Sequence, residues 1–214
     1  MFKFVISTAI IFCNIVMSVS ATEANTVEAE TEVKTTASID TALTIIQAKC
    51  QHCHGLNGEA SSAIYPRLAA QNKTYLKKQL EDFRSIKRKE PTMNEMAANL
   101  TDTEITALAS YFSAQANLSH RVRNKLLSSV GEYIFKNGNE YSGVADCASC
   151  HGENGEGNEL RPRLAGQHKR YVAEQLHRFT ERERTNDNAI MFSIASKLTE
   201  LEVEAVAYYV SGLK

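Results

Sequence analysis

Two five-residue stretches carry the most specific chemistry in this chain: Cys50-Gln-His-Cys53-His54 and Cys147-Ala-Ser-Cys150-His151. Two thiols so spaced can each add to a vinyl group, and a histidine directly after them can reach an iron from one face. That is the spacing of covalent haem c attachment. Structural zinc also takes Cys-x-x-Cys pairs, but such pairs lie much closer in sequence and need no histidine after each one. A redox dithiol of the thioredoxin kind sits in a strand–helix unit, and neither stretch has that surrounding pattern. The residues therefore predict two haem c groups, held by thioethers through Cys50 and Cys53 and through Cys147 and Cys150, with His54 and His151 as proximal ligands of the irons.

Each iron needs a sixth ligand. Of the chain's 5 methionines, Met1 and Met17 fall in the leader, leaving Met93, Met96 and Met191. A lone methionine is more often core filler than a ligand. Here an internal repeat changes the weighing. After each cysteine motif, Pro66-Arg67-Leu68-Ala69-Ala70-Gln71 matches Pro162-Arg163-Leu164-Ala165-Gly166-Gln167. Tyr75, Gln79-Leu80 and Phe83 match Tyr171, Gln175-Leu176 and Phe179, and Glu104-Ile105 and Tyr111 match Glu202-Val203 and Tyr209, all at an offset of 96–98 residues. Met93 and Met191 share this register, each four residues before an Ala and seven before a Leu, on what reads as the loop before a final helix. Met96 has only Ile194 opposite it. The axial methionines predicted are thus Met93 and Met191. Among the histidines, His52 lies inside the attachment loop, His120 in the linker, and His168 and His177 have no histidine counterpart; these are expected at the surface. Two closed axial positions favour electron carriage over binding of oxygen or peroxide.

A backbone carbonyl near Pro66 or Pro162 is placed to accept from the ring N–H of the proximal histidine. Arg67, Arg163, Tyr75 and Tyr171 repeat in register and are candidates for the haem propionates, the alternatives being helix packing for the tyrosines and solvated positions for the arginines.

The elements that must position these groups read as all-α. Leu76, Leu80 and Phe83 form a helical stripe within Tyr75 to about Ile86. Thr101 and Thr199 each precede a Glu by three residues, the sequence form of a capping box opening the helices Ile105–Phe112 and Val203–Val210. Gly131 and Phe135 suggest a helix opening the second copy. No strand-like alternation stands out. The basic stretch Lys73–Lys89 reads as a solvated helix face, with steering of an acidic partner as the alternative.

The bulk properties agree. A chain of 214 residues has room for two small domains, and a net charge of −1 gives no reason to expect a nucleic-acid partner. Lys3, the apolar run Phe4–Val19 and the small residues Ser18, Ser20 and Ala21 have the layout of a secretory signal peptide, 1–21; the run is short for a membrane anchor. Residues 22–38, rich in Glu, Thr and Ala, read as a disordered acidic linker. The haem domains then span 39–119 and 120–214.

With both motifs, both methionines and the repeated Pro-Arg-Leu-Ala-(Ala/Gly)-Gln segments in view, the chain resembles the cytochrome c4 family from about Ile39 to Lys214. Gly131-Glu-Tyr-Ile-Phe135 and Arg184-Thr-Asn-Asp-Asn strengthen the likeness. The resemblance implies a tandem pair of cytochrome c-like haem domains with propionate edges facing across their interface, His/Met ligation at both irons, and a periplasmic, often loosely membrane-associated carrier of single electrons. The partners it implies are redox proteins: quinol:cytochrome c oxidoreductase as donor and a terminal oxidase or reductase as acceptor. The first domain departs from the pattern in its opening helix, where Ala42 and Ile46 stand for the Gly-x-x-x-aromatic pair, and in the shorter, more basic segment Lys87–Met93. One rival is the cytochrome subunit of a periplasmic flavin-dependent dehydrogenase, such as a sulfide-oxidising enzyme. The other is a di-haem peroxidase, which needs one displaceable axial position and is disfavoured by the paired methionines.

Overall fold

A computed structural model describes residues 38–214, which form one compact unit. The expected leader and nearly all of the acidic segment lie outside the described residues. Among the described residues ten helices carry the fold: α1 (38–45), α2 (Gln51–His54), α3 (Lys73–Arg84), α4 (Pro91–Ala97), α5 (Asp102–Ser113), α6 (Lys125–Asn137), α7 (Ala148–His151), α8 (Lys169–Thr180), α9 (Ile190–Ala195) and α10 (Glu200–Gly212). A π-helical turn, Ile46–Cys50, joins α1 to α2. Among the described residues there is no strand, only an isolated bridge between Asn139 and Val144. None of the described helices is long and apolar enough to cross a membrane.

The repeat becomes two hydrophobic cores. One gathers Ala42, Ile46, Leu76, Phe83, Ile105, Leu108 and Phe112, and the other Ile134, Phe135, Val172, Leu176, Phe179, Val206 and Val210. Apolar spacing along α3 and α8 turns one stripe of each helix inward and leaves the lysines and glutamates outside. Both expected capping boxes form: the Thr101 and Thr199 hydroxyls accept from the N–H groups of Glu104 and Glu202, whose carboxylates accept in return from the threonine N–H.

Gly131 is where α6 crosses α10. A methyl group there would stand 2.0 Å from the carbonyl oxygen of Ala205, so only glycine permits the approach. In the first copy Ala42 and Ile46, which stand for the Gly131–Phe135 pair, are both fully buried.

Two expectations fail locally. Met93 and Met191 lie on the short helices α4 and α9, not on loops. Pro91 occupies the first turn of α4, where its missing N–H costs nothing, and helix-favouring residues follow. The stretch Lys73–Lys89 is not one solvated face: Lys78 and Lys87 pair with buried Asp82, Arg84 pairs with Asp102 at 2.6 Å, and Arg88 is buried against the second copy.

The copies meet through repeated residues. Asn186 Nδ2 donates to Asp82 Oδ2 at 2.6 Å, and at the corresponding position Arg178 Nη1 donates to Glu90 Oε2 at 2.6 Å.

Candidate functional site

Each cysteine motif forms a single helical turn. A glycine in the left-handed region ends it, Gly55 at φ 79° and Gly152 at φ 83°, which releases the chain immediately after the histidine. Cys50, Cys53 and Cys147 are half-buried and Cys150 is exposed, none of them in a disulfide. Burial pushes the Cys50 thiol up to about 11 and, with Asp146 and Cys150 adding to it, the Cys147 thiol up to about 12. Both are therefore protonated thiols at neutral pH. Among the described residues no three His, Cys, Asp or Glu side chains converge to hold a metal.

His54 and His151 are both 6% exposed. The Nδ1 atom of His54 lies 2.9 Å from the carbonyl of Pro66, and that of His151 lies 3.0 Å from the carbonyl of Pro162. A carbonyl can only accept, so Nδ1 carries the proton and Nε2 presents its lone pair. Burial pulls both imidazoles below the ordinary histidine value against the opposing effect of these bonds, which keeps them neutral. A buried neutral imidazole with Nδ1 fixed and Nε2 free is the donor that a haem iron requires. Met93 packs on the first core together with Cys50, and Met191 on the second together with Cys147. Met96, also on α4, is not packed on that core among the described residues. The surroundings differ in one respect. The Tyr65 ring lies edge-on to His54 with centroids 6.1 Å apart, whereas the residue in that register of the second copy is Arg161.

The repeated arginines and tyrosines are half-buried. Arg67 Nη1 donates to the carbonyls of Leu118 at 2.5 Å and Gly166 at 2.7 Å. Arg163 Nε is buried without a partner, an orphaned donor of the kind a bound carboxylate would satisfy. Tyr75 and Tyr171 accept from Arg184 at 2.8 Å and from Arg88 at 3.0 Å, each across the boundary between copies. The expectation for His168 is overturned. It is 4% exposed, its Nε2 donates to the carbonyl of Ala60 at 2.8 Å, and its Nδ1 lies 2.9 Å from Nε2 of His120. Half-buried His177 faces Glu200 at 3.5 Å, and His52 is exposed as expected.

The motif reading passed over Arg88 and took Arg184 only as part of the stretch Arg184-Thr-Asn-Asp-Asn, with no role of its own. They stand 96 positions apart, the offset of Pro66 and Pro162, and that shared register was the signal.

The cysteine turns, fixed imidazoles, methionine-bearing cores and orphaned guanidinium donor fit haem c. Comparison with known proteins agrees. The cytochrome c family model matches residues 40–115 and 135–214. Cytochrome c4 of Azotobacter vinelandii is 38% identical over 179 residues, 78% of this chain and 85% of that protein. The thiosulfate dehydrogenase electron acceptor of Stutzerimonas stutzeri (strain A1501) is 35% identical over 77% of this chain and 78% of its own length. The crystal structure of reduced recombinant cytochrome c4 from Pseudomonas stutzeri superposes with a TM-score of 0.78 at 34% identity, covering 82% of this chain and 98% of that one. Motif, fold and sequence likeness coincide over both copies: the chain belongs to the cytochrome c4 family, electron carriers with two cytochrome c domains and two covalently bound haem c groups.

Proposed function

We propose that this carrier works in the periplasm, after removal of residues 1–21, and moves single electrons between a respiratory donor such as quinol:cytochrome c oxidoreductase and a terminal oxidase or reductase. Haem, when bound, supplies a one-electron couple at each site. The protein does the rest. Cys50, Cys53, Cys147 and Cys150 tether the two groups within the domains 39–119 and 120–214. His54 and His151 ligate through Nε2 while the Pro66 and Pro162 carbonyls hold the ring planes. Met93 and Met191 close the sixth positions and raise the potential relative to a second histidine. The observation that carries this reading is the mirrored pair of proline-carbonyl-fixed imidazoles, each beside a core that also seats a register-matched methionine.

The test is spectroscopy of the purified mature protein. Haemochrome quantitation gives two haems per chain. The weak long-wavelength band of Met-ligated ferric haem falls by about half in Met93→Ala or in Met191→Ala and stays whole in Met96→Ala. One haem per chain, or an unchanged band in Met191→Ala, sinks the ligand assignment.

A second reading has the relative from Stutzerimonas stutzeri in its favour, since that protein's name makes it an electron acceptor for thiosulfate dehydrogenase. The carrier would then serve a periplasmic dehydrogenase, flavin-dependent or otherwise, as its cytochrome partner. Co-purification of a larger catalytic subunit with the native protein, reducing it faster than quinol:cytochrome c oxidoreductase does, decides for this reading.

A further inference from the structure

A linker histidine and a buried histidine of the second domain form a pair that reaches into the first. The Ala60 carbonyl can only accept, so Nε2 of His168, 2.8 Å away, carries the proton and Nδ1 presents a lone pair. That Nδ1 lies 2.9 Å from Nε2 of His120, which is therefore the donor. Nδ1 of half-buried His120 is left as the open lone pair at the end of the chain. The backbone N–H of His120 donates to the Ser211 carbonyl at 2.9 Å, which holds the linker in place.

The chain of bonds continues beyond Ala60. The Ala60 N–H donates to the His54 carbonyl at 2.8 Å, so His168 acts on the first proximal histidine through a single residue. Ala60 is 2% exposed and stands at φ 46°, in the left-handed region that favours glycine. The second copy has Gly157 in that register, at φ 69°, with the same bond to the His151 carbonyl at 2.6 Å. There the likeness ends. The counterpart of His168 is Asn72, which donates to the Arg161 carbonyl at 3.0 Å and not to Gly157. A titratable pair thus backs the proximal loop of one domain only.

The charges around the pair are few. Arg67 of the first domain faces both rings. Glu59, next to Ala60, turns its carboxylate to the Asn57 N–H at 2.9 Å. Lys169 and Arg170, which follow His168 on α8, are exposed, with Lys169 over the Tyr208 ring of α10. Among the described residues neither ring has a carboxylate within ion-pair distance; the histidine that does is His177. Burial, with Arg67 adding to it, holds both imidazoles below the ordinary histidine value, so the pair takes up its proton in acid. One proton fits. On Nδ1 of His120 it keeps every bond of the chain and makes the ring–ring bond charge-assisted, whereas a second would set N–H against N–H.

We propose that the His120–His168 pair is a proton acceptor coupled to the electron at the first haem, with His168 as a positioning residue that acts on His54 through Ala60. The proposal rests on the reading that His54 ligates the first iron. The donor supplies one electron, which cancels one positive charge at that haem. A proton from solvent then forms an N–H bond at Nδ1 of His120, and reoxidation releases both. The first midpoint potential therefore falls as pH rises through the titration of the pair, and the second does not follow it.

The test is redox titration of the mature protein, loaded with both haems, from pH 5 to pH 8. Met191→His, which lowers the second potential, assigns the two. In the unmutated protein the first potential falls with rising pH on the acid side of about 6.5 and levels off above it. His168→Asn and His120→Asn each abolish that slope and leave the second potential in place. A merely structural role would lower stability and keep the slope. His120 lies half-buried on the linker, so its variant serves should His168→Asn fail to accumulate. A first potential that ignores pH, a slope of equal size at both haems, or a slope kept in His120→Asn overturns this inference and leaves the proposed function standing. Haem content and the long-wavelength band are recorded on the same samples, and missing haem or band in the unmutated protein strikes the proposed function instead.

Discussion

Gln71 reads the backbone of Arg163 with both atoms of its amide: Nε2 donates to the Arg163 carbonyl at 3.0 Å, and Oε1 accepts from the Arg163 N–H at 2.8 Å. Gln167 does the same to Arg67, at 2.9 and 2.8 Å. Each domain thus completes, in the other, the backbone hydrogen bonding of the segment that carries the proline carbonyl behind the proximal histidine. Gln71→Ala leaves a buried N–H and a buried C=O without partners. The expected cost is about 1–3 kcal/mol, read by denaturant unfolding of the haem-loaded protein, with faster amide exchange at Arg163. Gln167→Ala repeats the effect at Arg67. Unchanged exchange at Arg163 in Gln71→Ala refutes the docking role.

Gly131 faces a backbone carbonyl, which cannot rotate aside as a side chain would. Gly131→Ala must therefore push α6 from α10 or strain both, at an expected cost of about 1–3 kcal/mol. A drop in melting temperature is the readout. Its absence would mean that α6 shifts along α10 at little cost.

His168 and His120 give the domain boundary a pH dependence. Both imidazoles are held below their ordinary value. Burial comes first in each; at His168 the Ala60 carbonyl opposes it and nearby Arg67 adds to it, and at His120 Arg67 and the neighbouring imidazole both add to it. A depressed folded-state pKa means that the unfolded chain binds the proton more readily. The contribution to stability is therefore complete above the ordinary histidine value of about 6.5 and is lost as pH falls through the folded-state values. Unfolding midpoints measured from pH 8 to pH 5 should fall on the acid side. His168→Asn, which installs the residue that Asn72 supplies in the first domain, should flatten that part of the profile.

The capping box at α10 is the more enclosed of the two, since Glu202 is 8% exposed and also accepts from Asn139 Nδ2 at 2.7 Å. Thr199→Ala is expected to cost about 1 kcal/mol, with Thr199→Ser close to wild type. Equal midpoints for the alanine and serine variants would show that the threonine hydroxyl does not stabilise α10.

What lay open in the sequence was whatever one copy encodes by itself. The attachment turns, the register of Met93 and Met191, the threonine caps and the proline carbonyls behind His54 and His151 follow from local spacing, and the repeat doubled each signal. What stayed hidden was the seam between copies. Arg88 sits in a lysine-rich stretch that reads as solvated, and His168 stands between Gln167 and Lys169, polar neighbours that do not announce burial. Both bond across the seam to residues 83 to 108 positions away, a separation at which no periodicity survives. Helices α4 and α9 were missed for a different reason. At seven and six residues they are too short to show a full amphipathic repeat.

The paired contacts Asp82–Asn186 and Glu90–Arg178 also determine which halves can sit together. In a pairing of two first domains by the same symmetry, Asp82 would face Glu90, carboxylate against carboxylate, twice over. A pairing of two second domains would set Arg178 against the uncharged Asn186. Only the mixed pair meets both charges with suitable partners, so the duplicated halves have diverged into complementary mates, and a free half would find its own twin a poor substitute.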